Sequence, residues 1–150
     1  MANKGVWNRP HLAKTVEGQR PKDDNPMPDI VLRNPSDWDK VNHGMQQVMH
    51  GARGTARKAS IGAQYLIAGK SGTKYDRSKV LERHRDHALF VGFAPANNPK
   101  IVVAVMVENG ESGSGVAAPV VRQVMDAWLL GPDGRIKPEY AGTTTAEATP

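Results

Sequence analysis

Four consecutive residues, Lys70-Ser71-Gly72-Thr73, offer the most specific chemistry in this sequence. They end a strand-forming run that starts at Tyr65. Side chains of a strand alternate between faces, so Lys70 and Gly72 fall on one side and Ser71 and Thr73 on the other. Gly72 carries no side chain, so a ligand or another backbone can come close there. A cation and two hydroxyls around such a gap suit a carboxylate lying against a strand edge.

Other readings of these residues fit less well. Gly69-Lys70-Ser71 invites a phosphate-binding loop, but the glycine required five residues earlier is Gln64. Ser71-Gly-Thr-Lys74 matches the Ser-x-x-Lys nucleophile motif. That motif works at the start of a helix, where the lysine returns beside the serine one turn later. A strand followed by charged residues, with Gly72 inside it, makes the match accidental. Three residues after Ser36, Ser60, Ser78, Ser112 and Ser114 stand Asp39, Ala63, Leu81, Gly115 and Ala117, and no Ser-x-Asn element occurs. His84 and His87, or His43 and His50 on one helix face, find no third ligand at useful spacing. They read as exposed or capping histidines, and neither metal nor cofactor is expected. The glycine-rich Asn109–Gly115 loop lies where an anion could meet a helix N-terminus. Glu111 would repel a phosphate there, so a tight strand-to-helix turn is the better reading.

Composition narrows the classes. With 150 residues, 39% of them hydrophobic, the chain fits one domain or a large piece of one. The absence of cysteine excludes disulfides and thiolate chemistry. No apolar run is long enough to span a bilayer, and the start does not read as a signal peptide. The net charge of +5 is concentrated, with nine Lys/Arg against two Asp/Glu over residues 52–85. Such an excess suits an anionic ligand, a merely solvated loop, or a small polyanion-binding protein. Few aromatics and no recognition motif count against nucleic acid. A non-catalytic interaction domain is the remaining alternative.

The elements that must position Lys70–Thr73 are legible. Asn34, Pro35 and Asp37 open a helix whose apolar stripe is Trp38, Val41, Met45, Val48 and Met49, and Gly51 stops it. Gly44 inside it costs about 1 kcal/mol against Ala, so close packing against it is expected. Ile30-Val31-Leu32 is expected as a brief strand, and Gly51 to Ser60 as a basic connector. Strands follow at Tyr65–Thr73, Ala88–Ala94 and Ile101–Val107, the last two an antiparallel hairpin. The continuously apolar Ile101–Val107 is expected at the centre of the sheet. A final helix over Ala117–Leu130 presents Val120, Val121, Val124, Met125, Trp128 and Leu129 as its apolar face, with Arg122, Gln123 and Asp126 opposite. The expected fold is α+β, an antiparallel sheet with packed helices.

In order along the chain, these residues resemble the C-terminal part of the transpeptidase domain of elongation-type class B penicillin-binding proteins, the penicillin-binding protein 2 family. The resemblance runs from Ala2-Asn3-Lys4-Gly5 to about Leu130. It includes Arg9-Pro10-His11-Leu12, Gly54-Thr55-Ala56, Ile67–Thr73, Arg83–Pro95 and Val105–Gly110. It implies a penicillin-binding/β-lactamase-like fold, with residues 1–131 a partial transpeptidase domain and residues 132–150 a disordered tail. By the same resemblance, Lys70 supplies positive charge to the substrate carboxylate and catalytic network. Ser71 and Thr73 bond that carboxylate, Gly72 lets the acyl-D-alanyl peptide or a β-lactam lie along the strand, and the Thr73 N–H is half of an oxyanion hole. The implied partners are peptidoglycan stem peptides, β-lactams and a membrane glycan polymerase, at the periplasmic face of the inner membrane. The family's nucleophile motif lies N-terminal to everything matched here, so this chain alone is expected to be an inactive fragment without a membrane anchor. Family members usually continue past Thr73 with Ala-Gln and a loop; here Lys74-Tyr-Asp-Arg77 follows at once, as if about ten residues were missing.

Overall fold

In the computed structural model, which describes residues 1–10, 12, 15, 17–19, 27–74 and 86–141, three strands form one antiparallel sheet with helices packed on it. The expected α+β class is what the chain adopts. Helix α1 spans Asp37–His50, a short α2 Arg57–Ser60, and strands β1, β2 and β3 run Ala68–Lys74, His87–Ala94 and Ile101–Val107. One π-helical turn, Gly113–Ala117, leads into α3, Ala118–Leu129, and α4 is Pro138–Ala141. The connector expected over Gly51 to Ser60 thus contains α2. The expectations for Lys74–Asp86 and for the histidine pair at His84 fall largely on residues 75–85, outside the described residues.

Sheet order is β1-β2-β3, so β2 is central and β3 is an edge among the described residues. The expectation of a central β3 is corrected. Its continuous apolar run splits by face: Val103 is buried, while Val102 and Met106 are well exposed. One sheet face carries Ala88, Phe90, Gly92 and Ala94 from β2 with Val103 of β3, and it packs against Val121, Met125 and Leu129 of α3, with Met49 and Ile67 completing the core. Each large apolar side chain buried there contributes about 1.5–3 kcal/mol.

Helix α3 buries a narrower stripe than expected. Val121, Met125 and Leu129 are inside, whereas Val120, Val124 and Trp128 are 39%, 43% and 53% exposed. Positions one residue earlier on a helix turn about 100° away, so one flat sheet cannot cover both rows. In α1 only Met49 is fully buried, and Val41 faces solvent. Among the described residues nothing lies within 4 Å of a methyl group placed at Gly44, so none of them supplies the close packing expected there. Asn34 sits two residues ahead of the N-cap Ser36 and accepts from its N–H and hydroxyl, making a turn into the helix.

Two further expectations change. Ile30-Val31-Leu32 is not a strand; the Ile30 N–H bonds the Gly5 carbonyl, and no ladder continues from it. Residues 132–141 are not a loose tail: Ile136 bridges Leu130, the Lys137 N–H bonds the Leu129 carbonyl, and Tyr140 packs on the core. Residues 142–150 lie outside the description.

Candidate active site

Strand β1 pairs with β2 on one side only, with Lys70 opposite Val91 and Gly72 opposite Leu89. Helix α1 covers the start of its other edge from both faces. Met45 packs with Ala68 and Phe93, and Met49 Sδ lies 3.4 Å from where a Gly69 methyl would stand. Between them His50 Nε2 accepts the Ile67 N–H at 2.9 Å. Backbone amides alternate in direction along an extended chain, so the N–H groups of Ser71 and Thr73 turn the same way as that of Ile67. Helix α1 ends at His50, and beyond Gly69 this edge carries no described strand.

At the open part of the edge, Lys70 is exposed and its ammonium donates to the Ser71 carbonyl. The Lys70 face is a shallow cleft of about 330 Å³ floored by Leu89, Val91 and Met106. Ser71 is half-buried on the opposite face, and Thr73 is exposed. The four residues therefore flank one edge that no described strand pairs, the cation from one face and the hydroxyls from the other. Ser71-x-x-Lys74 lies in extended chain, so the one-turn return that the nucleophile motif needs is absent. The gap at Gly72 is modest, since a methyl there would make an ordinary 3.4 Å contact with Leu89 Cβ. The close backbone approach comes instead from Gly113, on the face opposite Lys70.

Behind the strand lies a polar group that sequence reading missed. The Tyr65 hydroxyl donates to Asp126 at 2.6 Å, and Arg122 Nε reaches both Asp126 oxygens at 2.8 and 2.9 Å. Arg122 Nη1 also donates to the Ala59 and Ile61 carbonyls, and its guanidinium lies 5.7 Å from the Tyr65 ring centre. Burial, then the Asp126 hydrogen bond and charge, push the Tyr65 hydroxyl well above its ordinary range. Burial, and secondarily the Arg122 charge, hold His50 below its ordinary value. Two signals could have exposed this group: the Arg122–Asp126 spacing of four on one helix, and a tyrosine heading an apolar strand, whose hydroxyl needs a partner when buried. His50 and His87 are half-buried rather than exposed, and each accepts a backbone N–H, from Ile67 and Asn109. Among the described residues no three potential ligands gather as a metal site.

Residues 1–126 match the penicillin binding protein transpeptidase domain, and the chain belongs to that family. It is 41% identical over 142 residues to the peptidoglycan D,D-transpeptidase MrdA of Haemophilus influenzae, covering 86% of this chain and 22% of that protein. A crystal structure of Pseudomonas aeruginosa PBP2 in complex with WCK 5153 superposes with a TM-score of 0.85 at 72% identity, covering 93% of this chain and 30% of that one. PBP2 of Helicobacter pylori, solved in complex with MreC, superposes with a TM-score of 0.58 at 28% identity, covering 73% and 20%. The chain thus spans about a fifth of the length of the curated relatives it matches. The polyanion-binding reading is not favoured by any of these likenesses.

Proposed function

We propose that this chain supplies the carboxylate-binding wall of a peptidoglycan D,D-transpeptidase of the penicillin-binding protein 2 type. One observation carries the reading: Lys70, Ser71, Gly72 and Thr73 line a strand edge that, among the described residues, is left unpaired beyond the reach of α1. The Lys70 ammonium and the Ser71 and Thr73 hydroxyls receive the terminal carboxylate of an acyl-D-Ala-D-Ala peptide, as charge-assisted hydrogen bonds. The Thr73 N–H donates to the oxygen that becomes negative when the carbonyl is attacked, a donor typically worth about 3–4 kcal/mol.

The reaction is acyl transfer through a serine. A serine hydroxyl loses its proton to a base and adds to the penultimate D-Ala carbonyl, and the terminal D-Ala leaves as the amine. An amine of a neighbouring stem peptide then takes the acyl group and regenerates the serine. None of the six serines here sits in the required helical motif, so the nucleophile comes from the preceding part of such an enzyme. A β-lactam occupies the same edge through its own carboxylate. By kinship the working assembly includes a membrane glycan polymerase at the periplasmic face of the inner membrane.

The test is an NMR titration of the ¹⁵N-labelled chain with N-acyl-D-Ala-D-Ala and with its C-terminal amide. The free acid should shift the Ser71 and Thr73 amide resonances, and the amide should not. Equal responses to both ligands, or none, would sink the carboxylate assignment.

A further inference from the structure

We infer that Gly113 is a positioning residue for the outer half of β1, setting the depth at which Gly72 and Thr73 stand; this rests on the reading of β1 given above. The strand has an unusual mechanical problem. Its start is gripped by α1 on both faces, but from Lys70 onward the edge must stay open for a ligand. Among the described residues, support for that half comes from β2 and from a face.

Gly113 supplies the face contact. A methyl group on it would overlap the Leu89 carbonyl oxygen, and would stand 2.5 Å from the Gly72 carbonyl oxygen and 3.2 Å from the Gly72 nitrogen. Gly72 and Leu89 are register partners, so residue 72 and residue 89 direct their side-chain positions to the other face and offer only backbone here. No rotamer can relieve that overlap. Gly113 has no left-handed φ, so space alone requires glycine at this position.

The loop cannot retreat either. Its Glu111 N–H bonds the Asp86 carbonyl at 2.7 Å, just ahead of β2, and Ser112 Oγ accepts the Gly115 N–H at 2.9 Å. Ala117 and Ala118, which follow, are fully buried. A side chain at 113 therefore displaces the strand, and the Thr73 amide moves with it. Displacements well below 1 Å matter at such a site, since about 1 Å can cost a hundredfold in rate.

The experiment compares Gly113→Ala with Gly44→Ala in the ¹⁵N-labelled chain. A Gly44 methyl meets no described atom within 4 Å. Gly113→Ala should shift the Ser71 and Thr73 amide resonances and weaken the N-acyl-D-Ala-D-Ala titration by about tenfold or more. Gly44→Ala should leave both close to wild type. A purely stabilising role would lower the melting temperature of Gly113→Ala without altering the titration of the folded protein, and that result would overturn the inference. Should Gly113→Ala fail to fold, hydrogen exchange on the unmodified chain decides. Gly72 and Leu89 amides should open together with Gly113–Ala117, and independent opening refutes the brace. Silence of the wild-type chain toward the dipeptide would instead count against the carboxylate reading, leaving the brace to the exchange data.

Discussion

His50 Nε2 accepts the backbone N–H of Ile67 at 2.9 Å, tying the last residue of α1 to the residue just before β1. The bond does two jobs at once. It satisfies an amide that faces no neighbouring strand, and it fixes where α1 stops covering the edge. Everything from Lys70 to Thr73 lies beyond that stop, which is why the candidate ligand edge begins there.

The bond makes the fold acid-sensitive. An imidazolium cannot accept a hydrogen bond, and burial and Arg122 both disfavour charge on His50. Its folded pKa lies below the ordinary 6.5, so the unfolded chain binds the proton more readily. The stabilisation is complete above about pH 6.5 and is lost as pH falls through 6.5 toward the lowered folded value. His50→Ala should cost about 1–3 kcal/mol at neutral pH, because it leaves a part-buried N–H unpaired. Urea unfolding from pH 5 to 8, an order-of-magnitude window about the imidazole range, should show the slope in the wild type and a flatter profile in the variant. Parallel profiles would remove His50 from the account.

Tyr65 gives the opposite sign at alkaline pH. Its neutral hydroxyl is favoured in the folded chain, so stability is full below the ordinary value of 10.0 and falls as pH rises beyond it. Tyr65→Phe should cost about 1.5–3 kcal/mol, as expected for a hydrogen bond to a charged acceptor. Asp126→Asn in the same background should add less than it costs alone, since the two share one bond. A double-mutant cycle by chemical denaturation measures this, and full additivity would contradict the pairing.

Two glycines only 25 positions apart should respond to alanine in opposite directions. A methyl at Gly69 would stand 2.6 Å from both Phe90 Cε1 and Cζ, and Phe90 is buried in the core. Gly69→Ala should destabilise by about 1–3 kcal/mol through overpacking. Gly44 lies inside α1 with no described atom within 4 Å of an added methyl, so Gly44→Ala should stabilise by about 1 kcal/mol. Thermal unfolding of both variants decides the matter.

Much of this architecture is legible in the sequence because it is local. Alternation and turn residues place β2 and β3, and the run before Lys70 places β1 to within three residues. Which apolar row of α3 is buried, and whether β3 is central, are decided by partners distant in sequence, so periodicity alone misassigns them. Lys70 to Thr73 are legible because their side-chain types and spacing stand in the sequence itself. His50 and Gly113 are not, because their importance lies in backbone groups of residues 67, 72 and 89, and no side-chain pattern records those contacts.

Ser71 is the serine nearest to the candidate edge chemistry. It lies in extended chain, where Ser-x-x-Lys spacing does not fold back as it does over one helical turn. The neighbouring ammonium of Lys70 is engaged with the Ser71 carbonyl rather than with its hydroxyl, so among the described side chains it offers no base to take the serine proton. The chain on its own should therefore show no covalent adduct after incubation with a fluorescent penicillin, by gel and by intact mass. Adding a separately produced polypeptide that carries the preceding, nucleophile-bearing part of a relative should place any adduct on that second chain. In that mixture Lys70→Ala should reduce labelling by about 10²-fold, the scale of losing a charged group that positions the reacting carbonyl. An adduct mapped to Ser71 by peptide mass would reverse the assignment and make β1 the source of the nucleophile.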